Sequence, residues 1–142
     1  MHLIKQTGPH CLVTSAAMIL DTSPEILHEE IGMHGIEIWW MPDHLRGIHI
    51  QEIQDCCMRR RHCIYPIEKN PHLCPEGDFE PKSIWTGNLK GKLLNAIACK
   101  RAILITPNHA VAWDGSDVYD PKGFIKSFDD YEIQEAWVLG QI

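Results

Sequence analysis

Apolar positions change period along this chain. Through the N-terminal two thirds they recur three and four residues apart, the spacing of one helix face. In the C-terminal third they gather into short runs bounded by turn residues, the pattern of strands. Cys11 to Leu20 reads as a first helix, and the approach Gly8-Pro9-His10 cannot be helical throughout, so the helix starts near Cys11. Asp21-Thr22-Ser23-Pro24 is a stop and a restart. Ser23 suits a cap, Pro24 suits the first helical position, and Gly32 suits the end, with Ile26, Leu27 and Ile31 lining one face. Ile50 to Arg60 is a third helix with Ile50, Ile53 and Cys57 turned inward and Cys56 beside them. Leu89 to Cys99 is a fourth, with Leu93, Leu94 and Ile97 as its stripe.

Four strands follow from the later pattern: Ala102 to Thr106, His109 to Trp113, Asp117 to Asp120 and Glu135 to Leu139. Asp114-Gly115 is a hairpin turn signal between the second and third. Helices come first and a small antiparallel sheet comes last, which is an α+β order. No repeat or dividing linker is visible, and the expectation is one domain spanning 1–142. The Pro-rich stretch from Glu68 to Lys82 reads as a loop.

Lys plus Arg number 13 against 19 Asp plus Glu, a formal charge of −6. That balance argues against a nucleic-acid partner, which needs clustered cations. Arg59 to Arg61 is most simply the solvated end of a helix, where positive charge suits the dipole. The most apolar stretch, Cys11 to Leu20, is too short for a membrane span of about twenty residues. It also lacks the head and cleavage pattern of a signal peptide. The expectation is a cytoplasmic protein with its six cysteines reduced.

One constellation carries chemistry. Cys11 opens a helix, where unpaired N–H groups and the helix dipole favour the nucleophilic thiolate. His109 opens a strand far down the chain, and Asp120 closes the partner strand of the same hairpin. The hairpin brings the two close, and an acid beside a histidine holds its tautomer and stabilises imidazolium. Gln6, shortly before Cys11, can donate a side-chain N–H to an oxyanion. Asp114 and Asp117 are competing carboxylates nearer the hairpin tip, expected to be solvated. His10 is read as a loop residue turned to water.

Gln6-Thr-Gly-Pro-His-Cys11-Leu-Val-Thr-Ser-Ala-Ala-Met-Ile-Leu20 resembles the opening of papain-like cysteine peptidases, most nearly their bacteriocin-leader peptidase branch. Asn108-His109-Ala-Val-Ala-Trp-Asp-Gly-Ser-Asp-Val-Tyr-Asp120-Pro121 is similar to the second block of that branch. The resemblance implies a papain-like fold, with Cys11 as nucleophile, His109 as base, Asp120 as orienter and Gln6 as oxyanion donor. It implies cleavage of a peptide or amide bond through a thioester, with a peptide or protein substrate and no cofactor. The chain departs from the family twice. The spacing between Gln6 and Cys11 is one residue shorter than usual, and Leu12 stands where the family often has a small residue.

Other readings stand beside this one. The same triad serves side-chain deamidation or acyl transfer, and a peptidase-like scaffold also serves as a non-catalytic peptide-binding module. Trp39-Trp40 cannot both point inward from one strand, so one is a candidate for the substrate groove; packing of the block on the core is the competing reading. Cys56, Cys57, His62, Cys63, His72 and Cys74 offer zinc-type ligands, but the usual Cys-x-x-Cys knuckle is missing. Core cysteines beside a polar loop are the simpler account, and no metal is expected.

Overall fold

The computed structural model describes residues 1–32, 50–68 and 84–142. Among these, helices α1 (Cys11–Ile19), α2 (Pro24–Ile31), α3 (Ile50–Met58) and α4 (Gly87–Ile97) surround an antiparallel sheet. Its strands are β1 (His62–Pro66), β2 (Ala102–Thr106), β3 (His109–Trp113), β4 (Val118–Asp120), β5 (Phe124–Lys126) and β6 (Glu135–Gln141). The spatial order is β1-β6-β2-β3-β4-β5. No helix among the described residues is long and apolar enough to cross a membrane.

All nine residues of α1 are buried, so it is a central helix rather than an amphipathic surface one. Its small residues let neighbours approach closely, and its buried Ser15 hydroxyl donates to the Ala110 carbonyl at 3.2 Å. The helices α1, α2 and α3 share a core cluster with Ile64, Ile103, Ala110 and Ala112. On the other face Leu93 and Ile97 of α4 pack with Ala102, Leu104, Val111, Trp113, Val118, Ala136 and Val138. Alternate residues of β2 and β3 therefore feed two cores. That is why their sequence reads as continuous apolar runs instead of polar–apolar alternation.

The caps of α2 form as its sequence suggests: Ser23 Oγ accepts from the Ile26 N–H at 3.3 Å, and Gly32 ends the helix at φ 73°. Ile26 itself is 47% exposed, because Leu27 and Ile31, four residues apart, already fill the inner stripe. The simple order of helices then strands is also modified. Strand β1 lies between α3 and α4 in the chain and pairs with β6, Ile64 opposite Leu139. Only Ile64 of β1 is buried, so the segment carries no alternation to read. Gln54 of α3 clamps it instead, accepting from the Ile64 N–H at 2.8 Å and donating to its carbonyl at 2.7 Å. This satisfies backbone groups of a sheet edge. At the opposite edge, β5 is exposed at every position and has no inward face to recognise.

Gly115 is needed where it stands. Its φ is 101°, and an added Cβ would meet the Cys99 backbone at 2.9 Å. The close approach lets the Cys99 N–H donate to the Gly115 carbonyl at 3.2 Å, pinning the β3–β4 turn against the end of α4.

Candidate active site

The hairpin of β3 and β4 creates the central pair. Pro107 and Asn108 turn the chain before β3, Asn108 at φ 60°, and the Thr106 hydroxyl donates to the His109 carbonyl at 3.1 Å. Ala112 faces Tyr119 and Trp113 faces Val118. Extending that register sets Asp120 diagonal to His109 on one face of the pair, within reach of a side chain. His109 Nε2 lies 2.8 Å from Asp120 Oδ1. An ionised carboxylate only accepts, so Nε2 carries the proton, and the lone pair of the neutral ring is left on Nδ1.

Asp120 is 2% exposed and is held from several sides. The Lys122 N–H donates to Oδ1 at 2.9 Å, and the Tyr131 hydroxyl donates to Oδ2 at 2.7 Å. Burial alone would raise its carboxyl above 3.8; the Lys122 amide, His109 and Tyr131 outweigh burial and hold it below. Burial and the bond to Asp120 push the Tyr131 hydroxyl upward, so it stays a donor. Tyr131 is the site residue that sequence reasoning missed. A local signal exists: Ser127 and Asp130 bracket a 3-10 turn, with the Ser127 N–H donating to Asp130 Oδ2 at 3.0 Å. That signal marks a turn but not its return onto β4. Tyr131→Phe is expected to lose about 2 kcal/mol in urea unfolding, because it strips one donor from a buried charge.

Acid should weaken the fold through the same group and two others. Asp21 and Glu30 are held below 3.8 and 4.5, first by hydrogen bonds from Arg101 and Arg60. A carboxyl depressed in the folded chain stabilises it fully above the unfolded value, and this fades as pH falls through the folded value. The urea midpoint is therefore expected to drop steeply below about pH 4. A midpoint unchanged down to pH 3 would contradict these contacts.

Cys11 is the first residue of α1 and is 6% exposed. Ser15, one helical turn on, is bonded to Ala110, the residue after His109. Alternation gives Ala110 and Ala112 to the α1 side and turns His109 with Val111 to the other. His109 is the first residue of β3. The segment before Cys11 is tied to the same place, with the Gln6 N–H donating to the Pro121 carbonyl at 2.6 Å. Gln6 Nε2 donates to the Gly8 carbonyl at 2.7 Å, which uses one of its two hydrogens within its own loop. Its Oε1 is buried with no partner among the described residues.

The structure corrects one expectation here. His10 does not point to water: it is half-buried, with its ring edge-on to His28 at 4.9 Å and 79°. Asp114 does not compete for His109. Its Oδ1 accepts from the Ser116 and Asp117 N–H groups at 2.8 and 2.7 Å, closing its own turn. Cys56 and Cys57 are buried core thiols, and burial pushes Cys57 up to about 12. Among the described residues no three or more His, Cys, Asp or Glu converge to hold a metal ion, while His72 and Cys74 lie outside them. Trp39 and Trp40 also lie outside the described residues. Comparison with family models, curated proteins and solved structures finds no match.

Proposed function

We propose that this chain is a thiol-dependent hydrolase of peptide or amide bonds, built on a papain-like arrangement. The observation that carries the reading is the His109–Asp120 contact of 2.8 Å, anchored by Tyr131 and Lys122. An ionised, buried carboxylate on Nε2 is what a histidine needs to accept a thiol proton at Nδ1 and remain charged. The bond from Ser15 to Ala110 supports the reading further, because it ties the helix that Cys11 opens to the strand that His109 opens.

In this mechanism Cys11 Sγ attacks the substrate carbonyl and His109 holds the thiol proton. The amide C–N bond breaks, the leaving amine takes that proton, and a thioester remains on Cys11. Water, deprotonated by His109, then attacks the thioester and releases the acid. Gln6, with the remaining hydrogen of its amide, and the Cys11 backbone N–H stabilise the oxyanion in both steps. Deamidation of a side chain or transfer to an amine acceptor follows the same sequence with a different donor or acceptor.

Incubation with a defined peptide mixture, read by mass spectrometry, tests the reading. The expected result is pairs of fragments whose masses sum to a parent plus one water, absent with Cys11→Ala, which keeps the wild-type fold. Conversion of amide side chains to acids without fragments would make the enzyme a deamidase. The depth of Cys11, 6% exposed, is the observation favouring a second reading, a peptide-binding module without turnover. Unchanged masses alongside saturable peptide binding would establish that one.

A further inference from the structure

Lys90 stands where α4 turns inward. It precedes the buried Leu93 by three residues and Ile97 by seven, so it shares their stripe rather than the exposed side that carries Lys92. Its ammonium has no carboxylate within ion-pair distance among the described residues. Nζ instead donates to the Tyr131 carbonyl at 2.7 Å and lies 5.4 Å from the centre of the Phe128 ring. Ordering a lysine stem costs rotamer entropy, and these two contacts at its tip offset that cost.

The same two contacts grip the turn that delivers Tyr131. Phe128 is 3% exposed and packs edge-on against Trp113, with ring centres 5.6 Å apart. Beyond it Tyr131 is extended, at φ −124° and ψ 145°. The Trp85 N–H, just ahead of α4, donates to the Ile133 carbonyl at 2.8 Å. Lys90 therefore holds the backbone between two anchored points. The hydroxyl that hangs from this backbone has a distinct place on Asp120. His109 and the Lys122 N–H both take Oδ1, whereas the Tyr131 hydroxyl donates to Oδ2. That one bond fixes the plane of the carboxylate. A small backbone rotation at Tyr131 swings a hydroxyl at the far end of its ring, and a hydrogen bond weakens steeply with misalignment.

We propose that Lys90 is a positioning residue for the His109–Asp120 pair. By holding the Tyr131 carbonyl and the Phe128 ring, it aims the Tyr131 hydroxyl at Asp120 Oδ2 and so sets the carboxylate that receives the His109 Nε2 proton. Its part in catalysis rests on the hydrolase reading, whereas the positioning itself does not.

The test is NMR of the full chain with nitrogen-15 histidine, reading how fast the His109 Nε2 proton exchanges with water. The signal is identified by its loss in His109→Ala. Lys90→Met keeps the stem and removes the ammonium, and it should speed exchange about tenfold, the low end for losing one bond from a charged donor. Tyr131→Phe should speed it at least as much. In the Tyr131→Phe background, Lys90→Met should add less than about twofold, because the two residues act through one hydroxyl. Lys90→Arg, which still offers an N–H to the carbonyl and a cation to the ring, should stay within about threefold of the wild type. Lys92→Met removes the same charge from the exposed side of α4 and should leave exchange unaltered. Unchanged exchange in Lys90→Met, equal acceleration in Lys92→Met, or a full tenfold effect in the Tyr131→Phe background would each overturn the proposal. No substrate or thiol step enters the measurement. Peptide cleavage with exchange unchanged in Lys90→Met would overturn the positioning role alone. Faster exchange in Lys90→Met with no cleavage by the wild type would uphold it and overturn the hydrolase reading alone.

Discussion

At pH 5, iodoacetamide should alkylate Cys11 about 30-fold more slowly in His109→Ala than in the wild type. Two effects oppose each other in this rate. A thiolate paired with imidazolium stays ionised at pH 5, whereas an ordinary thiol, titrating near about 8.5, is ionised less than about one part in a thousand. The more basic thiolate is intrinsically the better nucleophile, which returns part of that loss. The difference should therefore shrink with rising pH and reverse by about pH 9. Peptide mass mapping gives the rate at each cysteine in the same sample, with buried Cys56 and exposed Cys99 as internal references. Crossing profiles for Cys11 alone would establish the pair. A Cys11 rate no greater than that of Cys99, and unaltered by His109→Ala, would remove the pair and leave the peptide-binding reading.

Asp120→Ala should cost about 3 kcal/mol, a fall of about 10 °C in Tm. The carboxylate accepts from the His109 ring, the Lys122 N–H and the Tyr131 hydroxyl at 2.8, 2.9 and 2.7 Å. Its removal leaves those donors without an acceptor in a site that is nearly dry, which costs more than the bonds themselves contribute. Asp120→Asn keeps the shape and one accepting oxygen but presents an N–H toward a donor, so about 1 kcal/mol is expected. The reactivity of Cys11 should follow a different order. His109→Ala removes the base, whereas Asp120→Asn still orients it, so the asparagine variant should lose less. Asp114→Asn is the control, since that carboxylate closes its own turn. A loss of Cys11 reactivity in Asp114→Asn, with none in Asp120→Asn, would transfer the orienting role to Asp114.

The two halves of the candidate site differed in how far they could be read from residues alone. His109 and Asp120 lie on one hairpin, whose register follows from a local turn signal at Asp114-Gly115, so their meeting was legible. Tyr131 reaches the same carboxylate from beyond β5, after a fold-back that no local pattern encodes. Gln6 was legible as a donor near Cys11, but not its bond to Gly8, because the loop's own carbonyl is an acceptor at closer range. Strands β1 and β5 escaped for a related reason. Edge strands bury little, and β1 is held by the Gln54 clamp rather than by an apolar face.

Local chemistry, read along the chain, determined the start of α1 at Cys11, the caps of α2, the apolar stripes of α3 and α4, and the hairpin that joins His109 to Asp120. These depend on neighbours within a few positions, where sterics and hydrogen bonding leave few choices. Only the tertiary structure decided what lies beyond that range. It set β6 between β1 and β2, bound Ser15 to Ala110 and Gln6 to Pro121, and turned Tyr131 onto Asp120. Such contacts join distant segments, and burial of two core faces selects them, so no local stretch carries their signature.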